Sequence, residues 1–173
     1  ISQLPAPQAG WGQQYDMDMR SAPSRSYEPA SVMPQYTAWN VGELMKYYAI
    51  TGDKRYLRGI PAAIEWLAGS YLPEGHAPND SYTHAMFVEL GTNKPIYPHV
   101  AGTGIDDGRT WIDYDPKDAM PGYGMWYRVD VDALRKEYER VYVMTPEEAM
   151  AEYKAAKEAP KKAPKPDAAR VER

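Results

Sequence analysis

The sequence contains no cysteine, so no disulfide framework and no thiolate chemistry is available to it. It has a single phenylalanine, Phe87, and only three histidines, His76, His84 and His99. The histidines stand apart without a ligand spacing, and no H-E-x-x-H or similar zinc pattern occurs. No apolar run approaches the roughly 18 residues that a membrane span requires. Positive charge is not in excess either. The formal net charge is −4, which leaves no electrostatic footprint for nucleic acid. The chain starts at Ile1 rather than Met, which predicts a processed chain or a fragment.

Against the missing phenylalanines stand fifteen tyrosines and five tryptophans. Tyr and Trp join a flat apolar body to a polar handle and suit half-wet surfaces. The balance fits a groove for a polar ligand, and it fits equally an amphipathic interior short of Phe. The run Gly10 to Asp18, "GWGQQYDMD", concentrates the question, since flat rings beside amides and carboxylates are what a sugar-binding groove needs.

Residues 1–36 show no sustained period and read as an extended, packed loop. From Thr37 to about Ala49, Val41, Leu44, Met45, Tyr48 and Ala49 recur at helical spacing. A "TGD" turn follows, with Asp53 placed to cap a second helix over about Lys54–Ala68 that is offset or kinked at Pro61. So short a turn predicts an antiparallel helical hairpin. Over 69–128, glycines and prolines surround two strand candidates, "AMFVEL" (85–90) and "TWIDYD" (110–115). Residues 130–142 read as a helix on Val131, Leu134, Tyr138 and Val141. "TPEE" at 145–148 is a helix start with Thr145 as cap and Glu148 closing a capping box. From Ala155 the chain turns to Ala, Lys and Pro, which predicts a disordered tail or linker. The expected division is therefore 1–144 and a helical then disordered 145–173.

Among candidate chemistry, Asp106, Asp107, Asp113 and Asp115 could hold a hard cation, or form a solvated turn and strand edge. They do not follow the EF-hand alternation. Asp16 and Asp18 could meet a cation or a sugar hydroxyl, or cap their own loop. "GSYLPEG" has a serine but no nucleophile elbow, and "GTGIDDGR" lacks a P-loop lysine. Asn79 heads a glycosylation sequon, N-D-S. In "SRSYEP" (24–29), Arg25 could fork onto a sugar carboxylate or pair with Glu28.

Four segments in order, "GWGQQYDMDMRSAPSRSYEP", "YYAITGDKRYLRGIPAAIEWL", "FVELGTNKPIYP" and "DGRTWIDYD…GYGMWY", resemble the family-ten pectate lyases over roughly residues 9–128. The resemblance implies the C-terminal part of an all-α toroid of helical hairpins, α/α-barrel-like, with long loops and short strands. It implies cleavage of polygalacturonate by calcium-assisted β-elimination, a secreted or periplasmic location, and a monomer with no nucleic-acid or membrane partner. Trp11, Gln14, Tyr15 and Asp16 would line the groove, and Arg25 and Lys94 would meet substrate carboxylates. The calcium carboxylates of the family lie on segments before "GWGQQYD". The family's catalytic arginine follows its "NKPIY" stretch, where an ungapped register places Val100 here; Arg109 is the nearby candidate base. The alternative is a non-catalytic acidic-polysaccharide-binding or scaffold protein that has lost that arginine.

Overall fold

The computed structural model describes residues 2–102, 108–120 and 123–159. It contains four α-helices and six strands in two antiparallel sheets. This corrects the all-α expectation: the architecture is mixed α/β, not a toroid of helical hairpins. The difference lies in residues 84–127, where the chain pairs strands instead of forming further hairpins.

Helix α1 (Pro34–Thr51) starts at Pro34, whose fixed φ suits a first turn, and ends at Gly52 in the left-handed region. It buries Val41, Met45 and Tyr48. Asp53 accepts from the Arg55 N–H and opens a 3-10 turn over Lys54–Leu57. Pro61 then sits in the first turn of α2 (Ile60–Ala68), so the expected second helix is split in two by its proline. Helix α3 (Val131–Val143) begins at Asp130, which accepts from Ala133 N. Helix α4 (Pro146–Glu158) has both bonds of the capping box. It runs past Ala155 and lies against α1, where the Tyr48 hydroxyl donates to Met144 O at 2.7 Å just before it starts.

The larger sheet has the order β1 (Ser31–Val32), β3 (Phe87–Glu89), β4 (Pro95–Ala101), β5 (Arg109–Asp113). Strands β2 (His84–Ala85) and β6 (Trp126–Tyr127) form a second pair. The first strand candidate thus divides into β2 and β3, and β5 covers most of the second. β4 was unexpected because Pro95 and Pro98 interrupt its ladder and argue against an interior strand.

Two apolar cores result. One joins the helices, with Ile60, Ile64, Trp66 and Leu67 at its centre. The other lies under the sheets around Met33, Phe87, Tyr97 and Met125. Among the described residues no helix is long and apolar enough to cross a membrane.

The "GWG" stretch is fixed against the first core. A Cβ on Gly10 would stand 2.5 Å from Val32 Cγ1 and 2.7 Å from Thr37 Oγ1. One on Gly12 would meet Ser31 O at 2.7 Å. Only glycine permits that approach. Between them Trp11 is locked by its N–H to Thr37 Oγ1 and by its carbonyl, which accepts from Met33 N.

Candidate functional site

The loop 24–28 is built around a buried carboxylate. The Glu28 side chain is only 3% exposed. It accepts from Arg25 N–H at 3.2 Å, from Gln13 Nε2 at 3.3 Å and from the Tyr123 hydroxyl in a short contact. Burial pushes this carboxyl up, but those donors and the Arg25 charge outweigh it and hold it below the usual carboxylate range. The same contacts raise the Tyr123 phenol, burial first and the Glu28 bond next. The Arg25 guanidinium is 62% exposed. It donates to the Tyr27 hydroxyl at 2.9 Å and lies 3.5 Å from Glu28 Oε1. Tyr27 in turn meets Tyr123 edge to face at 4.9 Å. Arg25 is therefore held by its neighbours yet open to solvent.

This loop touches the outer strand of the sheet, where Thr110 Oγ1 reaches Ser26 O at 3.5 Å. Alternation along β5 separates two sets of side chains. Thr110 and Ile112 share one face, and Tyr114 follows one residue past the strand. The Tyr114 hydroxyl donates to Glu89 Oε1 at 2.9 Å, and Lys94 Nζ lies 5.2 Å from the centre of its ring. Gln8 fixes the turn that carries Lys94: its amide donates to Glu89 O and Asn93 Oδ1, and its Oε1 accepts from Gly91 N. The Arg25 loop is thus tied to Thr110 and Lys94 to Tyr114, positions about 13 Å apart along the chain at 3.3 Å per residue.

The other set is Arg109, Trp111 and Asp113, opposite Ala101, His99 and Tyr97. Trp111 stacks on His99 at 5.1 Å and 12°, and its indole N–H donates to Asp113 Oδ2 at 3.0 Å. His99 Nε2 is 2.9 Å from Asp113 Oδ1, and its Nδ1 is 3.2 Å from Asp118 O. Burial raises the Asp113 carboxyl; the Asp115 N–H, the indole and His99 overcome that and lower it. Trp111 keeps 42% of its surface exposed. Its plane is therefore fixed and its surface available. An alternating "TWID" carries this signal in the sequence, but its partner His99 depends on a strand that the prolines conceal.

The expected groove residues do not all meet here. Trp11 is buried in the first core, and Tyr15 is half-buried against it, its hydroxyl accepting from Gly12 N. Asp16 caps its own turn, accepting from Asp18 N and Arg20 N. Gln14 is exposed, and its carbonyl accepts from Ala22 N. Only Arg25 and Lys94 of that set converge on β5. Arg109 is exposed at the first position of β5, on the face that alternation turns away from Thr110. Asp106 and Asp107 lie outside the described residues. Among the described residues no group of three His, Asp or Glu side chains is placed to hold a metal ion.

Neither a family model nor a curated protein sequence matches this chain.

Proposed function

We propose that the chain binds polygalacturonate across β5 and its flanking loops and acts on it by β-elimination. The observation that supports this most is the placing of Arg25 and Lys94 at opposite ends of one exposed strand. Two cations anchored at separate positions along one strand suit a polymer with a carboxylate on every residue better than any small anion. Arg25 is suited to the carboxylate because a planar guanidinium matches it bidentately, and Tyr27 with Glu28 already sets its orientation.

In the elimination a base removes the proton from the ring carbon beside the carboxylate. The bond from the next carbon to the glycosidic oxygen then breaks, a carbon–carbon double bond forms, and the departing oxygen takes a proton from water. Neutralising the carboxylate lowers the cost of the developing carbanion. Arg25 is the residue for that task at the reacting sugar, Lys94 meets a carboxylate further along the polymer, and Arg109 is the candidate base. Calcium would come to such a complex through donors other than the described set, and secretion follows from the substrate alone.

One observation favours binding without cleavage: Arg109 lies on the β5 face away from the Arg25 loop. The absorbance of unsaturated uronate, followed on polygalacturonate with calcium and with chelator, separates the readings. A calcium-dependent rise supports elimination. A flat trace with retained binding supports the non-catalytic reading. The Arg25→Ala variant is expected to bind polygalacturonate about tenfold more weakly, the loss of one charge-assisted contact. Unchanged affinity would remove Arg25 from the site.

A further inference from the structure

The first turns of α1 and the segment 128–134 enclose a cleft of about 340 Å³ that the strand site does not use. Its wall carries Trp39, 56% exposed, stacked on Tyr36 at 5.1 Å and 29°. Tyr36 is itself packed on the second core, so the indole plane is anchored on one side. Across the cleft stands Arg128, exposed and without an ion pair among the described residues. Its backbone is fixed on both sides: Tyr127 O accepts from Thr83 N, and Val129 N donates to Thr83 Oγ1. Asp130 uses Oδ1 to cap α3, and Gln35 adds an amide at the rim.

We infer that this cleft is a second binding site, for a single uronate residue of an acidic polysaccharide. The apolar face of the sugar ring lies on Trp39, the carboxylate is taken by Arg128, and ring hydroxyls meet Gln35 and Asp130. The groups sit on a helix and on a clamped segment, so little order must be gained on binding. A neutral sugar would leave the guanidinium unused, and a bare anion would leave the indole unused. The combination selects a ring that bears an acid. This inference rests on the polyuronate reading, because two separate sites on one chain gain avidity only from a polymer.

The test is calorimetric titration of the full chain with trigalacturonate, and with galactotriose as the neutral probe. The expected result is two equivalents of trigalacturonate per chain. Trp39→Ala and Arg128→Gln should each weaken one of them about tenfold, and Arg25→Ala should weaken the other. Thermal melts check folding; Arg128 is exposed, so Arg128→Gln carries the test alone if Trp39→Ala is misfolded. Wild-type titrations from Trp39→Ala and Arg128→Gln, with loss in Arg25→Ala, would overturn the second site and leave the strand site standing. Equal binding of galactotriose at the Trp39 site would overturn its assignment to a uronate. No binding of trigalacturonate by the wild type would overturn both.

Discussion

The helical part and the sheet part of this molecule are held together by different kinds of contact. Around the helices, beside the part-buried bond from Tyr48 to Met144 O, many of the polar links are exposed ion pairs, several of them close in sequence: Arg55 with Asp53, Lys46 with Glu43, and Arg140 with Glu137 and Glu152. Such pairs are individually worth little. In and around the sheets the links are part-buried and span the chain. Tyr123 donates to Glu28 across 95 positions, and Gln8 holds the Glu89 carbonyl across 81. The two kinds fail differently. Cutting a helix pair loosens a surface, whereas cutting a sheet link strands polar groups away from water. The residues proposed to bind uronate belong mainly to the second kind, so their positions depend on the less replaceable contacts.

The contrast is sharpest at Glu28. Glu28→Ala leaves the Tyr123 hydroxyl and the Gln13 amide without their acceptor, with an expected loss of about 3 kcal/mol from several bonds to a charged group. Urea unfolding measures it. The deficit should shrink at low pH. The folded carboxyl is held below its unfolded value, so its contribution is present above the unfolded value and lost as pH falls through the folded one. A loss under 0.5 kcal/mol, the range of ordinary surface changes, would put Glu28 on a par with the helix pairs.

The next effect falls where the two parts meet. Gly10→Ala forces a methyl against Val32, Thr37 and Trp66, all buried, at a cost of about 2 kcal/mol from overpacking. The same experiment separates the two uses of the "GWG" stretch. If the stretch serves only to brace α1, stability falls while polygalacturonate affinity per folded molecule stays the same. If affinity falls with unchanged stability, Trp11 belongs to the ligand after all.

These residues also show how far sequence reasoning reaches. The caps at Asp53 and Thr145 and the stripes of α1 and α3 follow from spacing of a few residues, and each is present. The sheet depends on pairings that no local rule contains. β4 carries two prolines and forms because β3 and β5 flank it, and with β4 goes the stacking of His99 on Trp111. Arg25 and Glu28 were legible as a pair, but Tyr123, the donor that buries the carboxylate, was not. Trp11 is buried, because the glycines on either side of it bring its backbone close to α1 and β1.

A smaller effect tests the bond that joins α2 to the second sheet. His84 is fully buried, with Nε2 3.0 Å from Leu67 O and Nδ1 2.8 Å from Thr83 Oγ1. A carbonyl can only accept, so Nε2 carries the proton and Nδ1 accepts from the hydroxyl. Burial lowers this imidazole below its ordinary 6.5, and the Leu67 bond opposes that only in part. Below 6.5 the unfolded chain takes up a proton that the folded one resists. Stability therefore falls as pH drops from 6.5, by no more than about 1.4 kcal/mol per unit, the slope for one proton. Melts at pH 7.5, 6.5 and 5.5 measure it, and His84→Gln should flatten the slope. An unchanged slope in that variant would assign the pH dependence to the carboxylates.

The smallest expected effect has the opposite sign and lies wholly in the helical part. Gly42 sits inside α1, where an added Cβ meets nothing within 4 Å. Glycine there costs backbone entropy that alanine does not, so Gly42→Ala should stabilise by roughly 0.5–1 kcal/mol. The gain appears as a higher urea midpoint at unchanged slope. A sheet-side glycine offers no such opportunity: Gly12 faces the Ser31 carbonyl directly, and the same substitution there must move backbone. If Gly42→Ala instead destabilises, the space beside it is filled in solution. Packing rather than backbone entropy would then govern α1 at this position.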